Sequence, residues 1–122
     1  MLDSLLSGRR ILVVEDEMLV LMMIEDMLAD HSCEQVTAAA TTQQALALIG
    51  AQDFDAAMLD MNLGGAMTYS VADALGVRGV PFAFSTGYSG HEIRDGYRDR
   101  PVLKKPFQDQ DLLKILLRML SA

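Results

Sequence analysis

Ile11-Leu12-Val13-Val14-Glu15-Asp16-Glu17 is the stretch that decides the fold. Four apolar residues in a row, without the alternation of a half-solvated strand, describe a strand covered on both faces, as in a parallel sheet with helices on each side. The run stops abruptly in three acids. Residues 18–29 then set Leu21, Ile24 and Leu28 at i, i+3 and i+7, a helical stripe preceded by acids where the helix dipole favours them.

The same alternation recurs along the chain, giving five βα units and one parallel sheet. Residues 36–40 form a weaker strand, after which Thr41 offers an N-cap to a helix over 43–49 that Gly50 ends. Ala56, Ala57, Met58 and Leu59 make a third buried strand ending in Asp60. The turn-prone Asn62, Leu63, Gly64 and Gly65 lead to a helix over 69–75. Residues 81–85 are the fourth strand, running into Thr86 and Gly87. Residues 88–100 carry glycines and charges with little apolar periodicity, so a fourth helix there is short or disordered. Val102 and Leu103 give a fifth strand into Lys104, Lys105 and Pro106. Asp109 or Gln110 then caps a last helix carrying Leu112, Leu113, Leu116, Leu117 and Leu120.

The 122 residues suit one domain, read as a short leader over 1–8 and a single fold over 9–122. A net charge of −7 argues against nucleic-acid binding, because affinity for that backbone comes from Lys and Arg displacing counterions. No apolar run approaches the ~20 residues needed to span a bilayer, and the opening lacks the basic-then-apolar order of a secretory signal. Cys33 is the one cysteine, which excludes an internal disulfide and suits the cytoplasm. His31 and His91 lack metal-site spacing and are expected at the surface. Met18, Met22, Met23 and Met27 exceed what the first helix's core stripe requires; ordinary packing is the expected account, an adaptable docking face for a helical partner the alternative.

In an open parallel sheet, ligands bind beyond the carboxyl ends of the strands, where the strand order reverses. The polar residues collect at those ends: Glu15 and Asp16 after the first strand, Asp60 after the third, Thr86 after the fourth and Lys105 after the fifth. Through ILVVEDE (11–17), MLDMNLGG (58–65), FSTGY (84–88) and LKKPF (103–107), in order over nearly the whole chain, the sequence resembles the receiver domain of two-component response regulators.

That resemblance implies an α/β, flavodoxin-like (βα)5 sandwich with sheet order 2-1-3-4-5, which sets Asp16 opposite Asp60. It also implies that Asp60 accepts a phosphoryl group in a reaction dependent on Mg2+ or Mn2+. Asp16, Asp60 and the backbone carbonyl of Asn62 would ligate the ion directly, and Glu15 largely through water. Neighbouring carboxylates repel one another, and a hard divalent cation relieves that repulsion. Lys105 would pair with a phosphoryl oxygen, with a cis bond to Pro106, and Thr86 would move its hydroxyl onto the group after transfer. The implied partners are a sensor histidine kinase or histidine phosphotransfer protein and a downstream protein target, the chain itself being a monomer without attached output.

The sequence departs from the family at two places. Val102 stands where receivers carry an aromatic switch residue, and Gly64 where they carry a proline. Phe84 to Tyr88 resembles a Phe-Ala-Thr-Gly variant found in receivers partnered with HWE-type kinases, in which Gly87 and Gly90 would replace the aromatic device by backbone freedom. Two other readings stay open: a phosphatase or phosphotransferase using an aspartyl-phosphate intermediate, and a pseudo-receiver that only binds proteins.

Overall fold

The computed structural model describes residues 6–63, 66–87 and 100–120, with residues 66 and 67 described by their backbone. Five parallel strands form the main sheet: β1 (Arg10–Val14), β2 (Gln35–Ala39), β3 (Ala56–Asp60), β6 (Phe82–Thr86) and β7 (Val102–Lys104). Their order is β2-β1-β3-β6-β7, the expected 2-1-3-4-5 arrangement of a flavodoxin-like sheet. Four helices complete the described architecture: α1 (Met18–Asp30), α2 (Thr42–Ala51), α3 (Tyr69–Val77) and α4 (Asp109–Leu120). The fourth helix expected within 88–100 falls, apart from Arg100, outside the described residues, as do Gly64, Gly65, Gly90 and His91.

Strand alternation divides the core into two layers. Leu12, Val14, Ala57, Leu59, Phe82 and Phe84 face α2 and α3, meeting Ala45, Ile49, Val71, Ala72 and Leu75. Ile11, Val13, Met58, Ala83 and Leu103 face α1 and α4, meeting Leu21, Ile24, Leu28, Leu112 and Leu116. The stripe read from residues 18–29 is thus the buried side of α1. Leu6, placed in the leader on sequence grounds, is fully buried in the second layer.

Helix ends follow local chemistry. Thr41 caps α2 as expected, its hydroxyl accepting the Gln44 N–H at 3.1 Å, but the helix continues through Gly50 to Ala51. At the end of α3, Gly79 takes φ 70°, the Val80 N–H reaches the Leu75 carbonyl and the Gly79 N–H that of Gly76, a Schellman motif. Ser32 takes the equivalent left-handed place after α1, with Cys33 N–H bonded to the Leu28 carbonyl. The cap of α4 is Gln108, one residue before Asp109 and two before Gln110, because the helix already begins at Asp109. The Gln108 carbonyl accepts from Leu112 N–H, and Asp111 reaches back to the Gln108 N–H at 3.1 Å.

Three local expectations need correction. His31 is not a surface side chain: it is 15% exposed and its Nε2 stands 3.0 Å from each carboxylate oxygen of Asp109, joining the end of α1 to the start of α4. The segment after Asp60 is no simple turn, since β4 (Asn62–Leu63) and β5 (Ala66–Met67) pair as a small antiparallel ribbon. Ordinary packing does not account for the methionines of α1, because Met18, Met22 and Met23 are 66%, 51% and 36% exposed beside Leu19 at 82%. Met27 alone of the four packs against the core.

Candidate functional site

The carboxyl ends of β1, β3, β6 and β7 lie together because the strands are parallel and in near register. Val14 pairs with Leu59, Asp60 with Ser85 and Thr86 with Lys104. The ladder runs past the strand ends, through Met61 N–H to the Ser85 carbonyl at 3.0 Å and Lys105 N–H to the Thr86 carbonyl at 2.7 Å. Chain order reverses between β1 and β3, which leaves a crevice there for whatever the loops supply.

Three acids supply it. Carboxylate oxygens of Glu15, Asp16 and Asp60 all lie within 4.8 Å of one another, with Glu15 and Asp60 buried and Asp16 exposed. Lys105, across a cis bond to Pro106, brings its Nζ to 2.8 Å from Glu15 Oε1, 3.1 Å from Asp60 Oδ2 and 3.8 Å from Glu17 Oε1. One ammonium faces three first-rank carboxylates, so the cluster retains an excess of negative charge.

Backbone donors hold the acids in place. Glu15 Oε2 accepts the Glu17 N–H at 3.1 Å, and Asp60 Oδ1 accepts the Asn62 N–H at 3.1 Å. Burial, opposed by the Lys105 hydrogen bond and reinforced by the nearby Asp60 charge, raises the Glu15 carboxyl from 4.5 to about 6. Burial alone would lower the Lys105 ammonium, yet its bond to Glu15 and the charge on Asp60 together raise it above the ordinary lysine value. The acidic pocket with its oxygen-only donor set fits a hard divalent cation.

Glu15, Asp16, Asp60 and Lys105 therefore converge as the sequence suggested. Thr86 ends β6 beside them, 2% exposed, and Ser85, the hydroxyl one position earlier, is equally buried in register with Asp60. Val102 is half-buried against the α2–α3 layer. Gly87 has open space where a Cβ would stand and does not take a positive φ, so nothing in its own position demands glycine. Lys104 is exposed.

Thr68 was missed. Its hydroxyl, 1% exposed, donates to the Asp60 carbonyl at 2.8 Å. A threonine just before a helix reads as an N-cap, and no local signal distinguishes a hydroxyl turned instead toward a strand end eight residues earlier.

Residues 11–117 match the response regulator receiver domain family. The chain belongs to that family. No curated protein matches the chain. Among solved structures, this receiver is 43% identical to SdrG from Sphingomonas melonis Fr1, with 92% of this chain and 96% of that one covered at a TM-score of 0.82. It is 42% identical to the BeF3-activated conformation of SdrG from Pseudomonas melonis Fr1, covering 93% and 98% at a TM-score of 0.80. The receiver domain of sensor histidine kinase PA1611 from Pseudomonas aeruginosa PAO1, which has a magnesium ion coordinated in its active-site cleft, is 28% identical over 95% and 100% at a TM-score of 0.80. This receiver is a two-component signalling domain. Among its described residues, no helix is long and apolar enough to cross a membrane.

Proposed function

We propose that this receiver takes a phosphoryl group from the phosphohistidine of a sensor histidine kinase or a histidine phosphotransfer protein onto Asp60. The observation that carries the reading is the setting of the Asp60 carboxylate. It is 7% exposed, held by Asn62 N–H on one oxygen and Lys105 on the other, and sits within 4.8 Å of two further carboxylates. An Asp60 oxygen attacks phosphorus in line, the P–N bond to the donor imidazole breaks with its electron pair leaving on nitrogen, and that nitrogen takes a proton.

A divalent ion, Mg2+ or Mn2+, held by Asp16, Asp60 and the Asn62 carbonyl with Glu15 acting largely through water, would neutralise charge on the phosphoryl oxygens. Both Glu15 oxygens already accept hydrogen bonds, which suits that indirect role. Lys105 moves its ammonium from Asp60 to a phosphoryl oxygen as the carboxylate is consumed. Thr86, at the end of β6, follows with its hydroxyl and alters the surface beside β6 and β7. The exposed Met18, Leu19, Met22 and Met23 open α1 two residues after Asp16 and suit a helical donor partner.

The receiver takes in Leu6, ahead of the expected start at residue 9, acts in the cytoplasm as a monomer, and catalyses only its own phosphorylation and dephosphorylation. Its FSTGY segment and Val102 support grouping it with the Phe-Ala-Thr-Gly receivers served by HWE-type kinases. Incubation with acetyl phosphate and Mg2+, read by intact mass, tests the reading. One phosphoryl adduct, absent from Asp60→Asn, supports it. No adduct in the wild type, or steady turnover of many phosphate esters, would refute it.

A further inference from the structure

We propose that Thr68 is a positioning residue for Asp60, its buried hydroxyl fixing the peptide that aims the acceptor carboxylate. The inference rests on Asp60 being the phosphoryl acceptor, and it concerns a residue outside the metal-and-lysine cluster.

Thr68 occupies the N-cap place of α3, yet its side chain makes no capping bond there. The hydroxyl is used instead on the Asp60 carbonyl at 2.8 Å, while the Thr68 carbonyl accepts the Val71 and Ala72 N–H groups, each at 3.1 Å. A capping threonine ordinarily contributes to helix stability through its hydroxyl, so diverting it forgoes that contribution for a tertiary bond. The Thr68 N–H also reaches the Met61 carbonyl at 3.2 Å. Thr68 therefore grips the backbone at two consecutive carbonyls, those of Asp60 and Met61.

Those two residues carry the turn in which the Asn62 N–H meets Asp60 Oδ1 at 3.1 Å. The bond closes only if the peptide planes between Asp60 and Asn62 are correctly tilted, and a hydroxyl on the Asp60 carbonyl sets the first of them. With Oδ1 fixed by Asn62 and Oδ2 by Lys105, the carboxylate cannot rotate freely. Thr68 thus acts at one remove, from a side chain at 1% exposure, on the direction from which Asp60 meets phosphorus.

The test compares Thr68→Val, which keeps the shape and removes the donor, with Thr68→Ser, which keeps the donor. Thr68→Ala serves as a second donor-free variant should valine perturb folding, as judged by urea melting. At saturating acetyl phosphate and Mg2+, the donor-free variants should acquire phosphoryl about tenfold more slowly, part of the ~100-fold that an ångström of misplacement costs, and Thr68→Ser should restore the rate. Hydrogen exchange of the Asn62 amide, measured without phosphodonor, should accelerate in Thr68→Val and Thr68→Ala and not in Thr68→Ser. Wild-type rate and exchange in a folded donor-free variant, or a serine variant as slow as valine, would overturn the inference. If the wild type itself takes up no phosphoryl, the acceptor reading fails, and the Asn62 amide alone decides whether Thr68 positions that turn.

Discussion

Lys105 Nζ joins Asp60 Oδ2 at 3.1 Å across 45 residues of sequence, and the same ammonium binds Glu15 at 2.8 Å. The lysine therefore holds the Asp60 carboxylate and simultaneously offsets the most buried acid of the pocket, so its removal should be felt in stability as well as in the proposed chemistry.

Lys105→Met should lower stability by about 1–3 kcal/mol at neutral pH, since an almost fully buried Glu15 carboxylate loses its charged partner. Urea unfolding measures the loss, which should shrink toward pH 5 as Glu15 takes a proton. Phosphoryl uptake should fall at least tenfold, because no ammonium remains to meet the incoming oxygens.

The raised Glu15 value fixes a pH window. A carboxyl moved from 4.5 to about 6 binds its proton more tightly in the folded state. Glu15 therefore lowers stability as pH rises from about 4.5 to about 6, by roughly 2 kcal/mol at most, and this penalty persists above that range. Lys105 works the other way but does not vary there: its raised value keeps its contribution present until strongly alkaline pH. Thermal melts of the wild type and Glu15→Gln between pH 4 and 8 should diverge across this window, the glutamine variant gaining relative stability above pH 6.

Asp16 is exposed, and its removal relieves repulsion within the acidic cluster. Asp16→Ala should leave the metal-free melting temperature unchanged or slightly higher. It should also remove most of the stabilisation by added Mg2+, which for the wild type amounts to about 2.7 kcal/mol at one hundred times the dissociation constant. Calorimetric titration with Mg2+ provides the direct check.

Leu19→Glu combined with Met22→Lys should change stability by no more than about 0.5 kcal/mol, as both side chains are largely exposed. Uptake from acetyl phosphate should persist while transfer from a phosphorylated histidine kinase slows. Equal slowing with both donors would sink the assignment of α1 as the donor's docking face.

Leu116, fully buried between α4 and the sheet, provides a control outside the acidic cluster. Leu116→Ala should cost about 2–5 kcal/mol in urea unfolding.

Much of this molecule could be read from residue order because its strongest signals are local. The Ile11–Val14 run states its own two-sided burial, and Leu21, Ile24 and Leu28 name the buried side of α1 before any partner is known. The acids and the lysine could be assembled because parallel strands bring every carboxyl end to one rim. What stayed hidden depends on contacts across the fold. The His31–Asp109 pair spans 78 residues, and nothing around either residue announces the other. Asn62 to Gly65 carry turn chemistry, which conceals the ribbon formed with residues 66 and 67. The α1 methionines misled for a different reason: periodicity identifies one apolar stripe, and apolar residues beyond it were assigned to the interior by their chemistry alone.

Glu15 and Lys105 are 90 residues apart, one just after the interior strand β1 and the other beyond the edge strand β7. Glu15, Asp16 and Asp60 all precede Lys105 in chain order, so a chain folded only as far as β6 holds the clustered carboxylates without the ammonium that offsets them. Assembly of the pocket thus coincides with the docking of β7, and Asp60 and Glu15 gain their shared cation only when that edge strand joins the sheet.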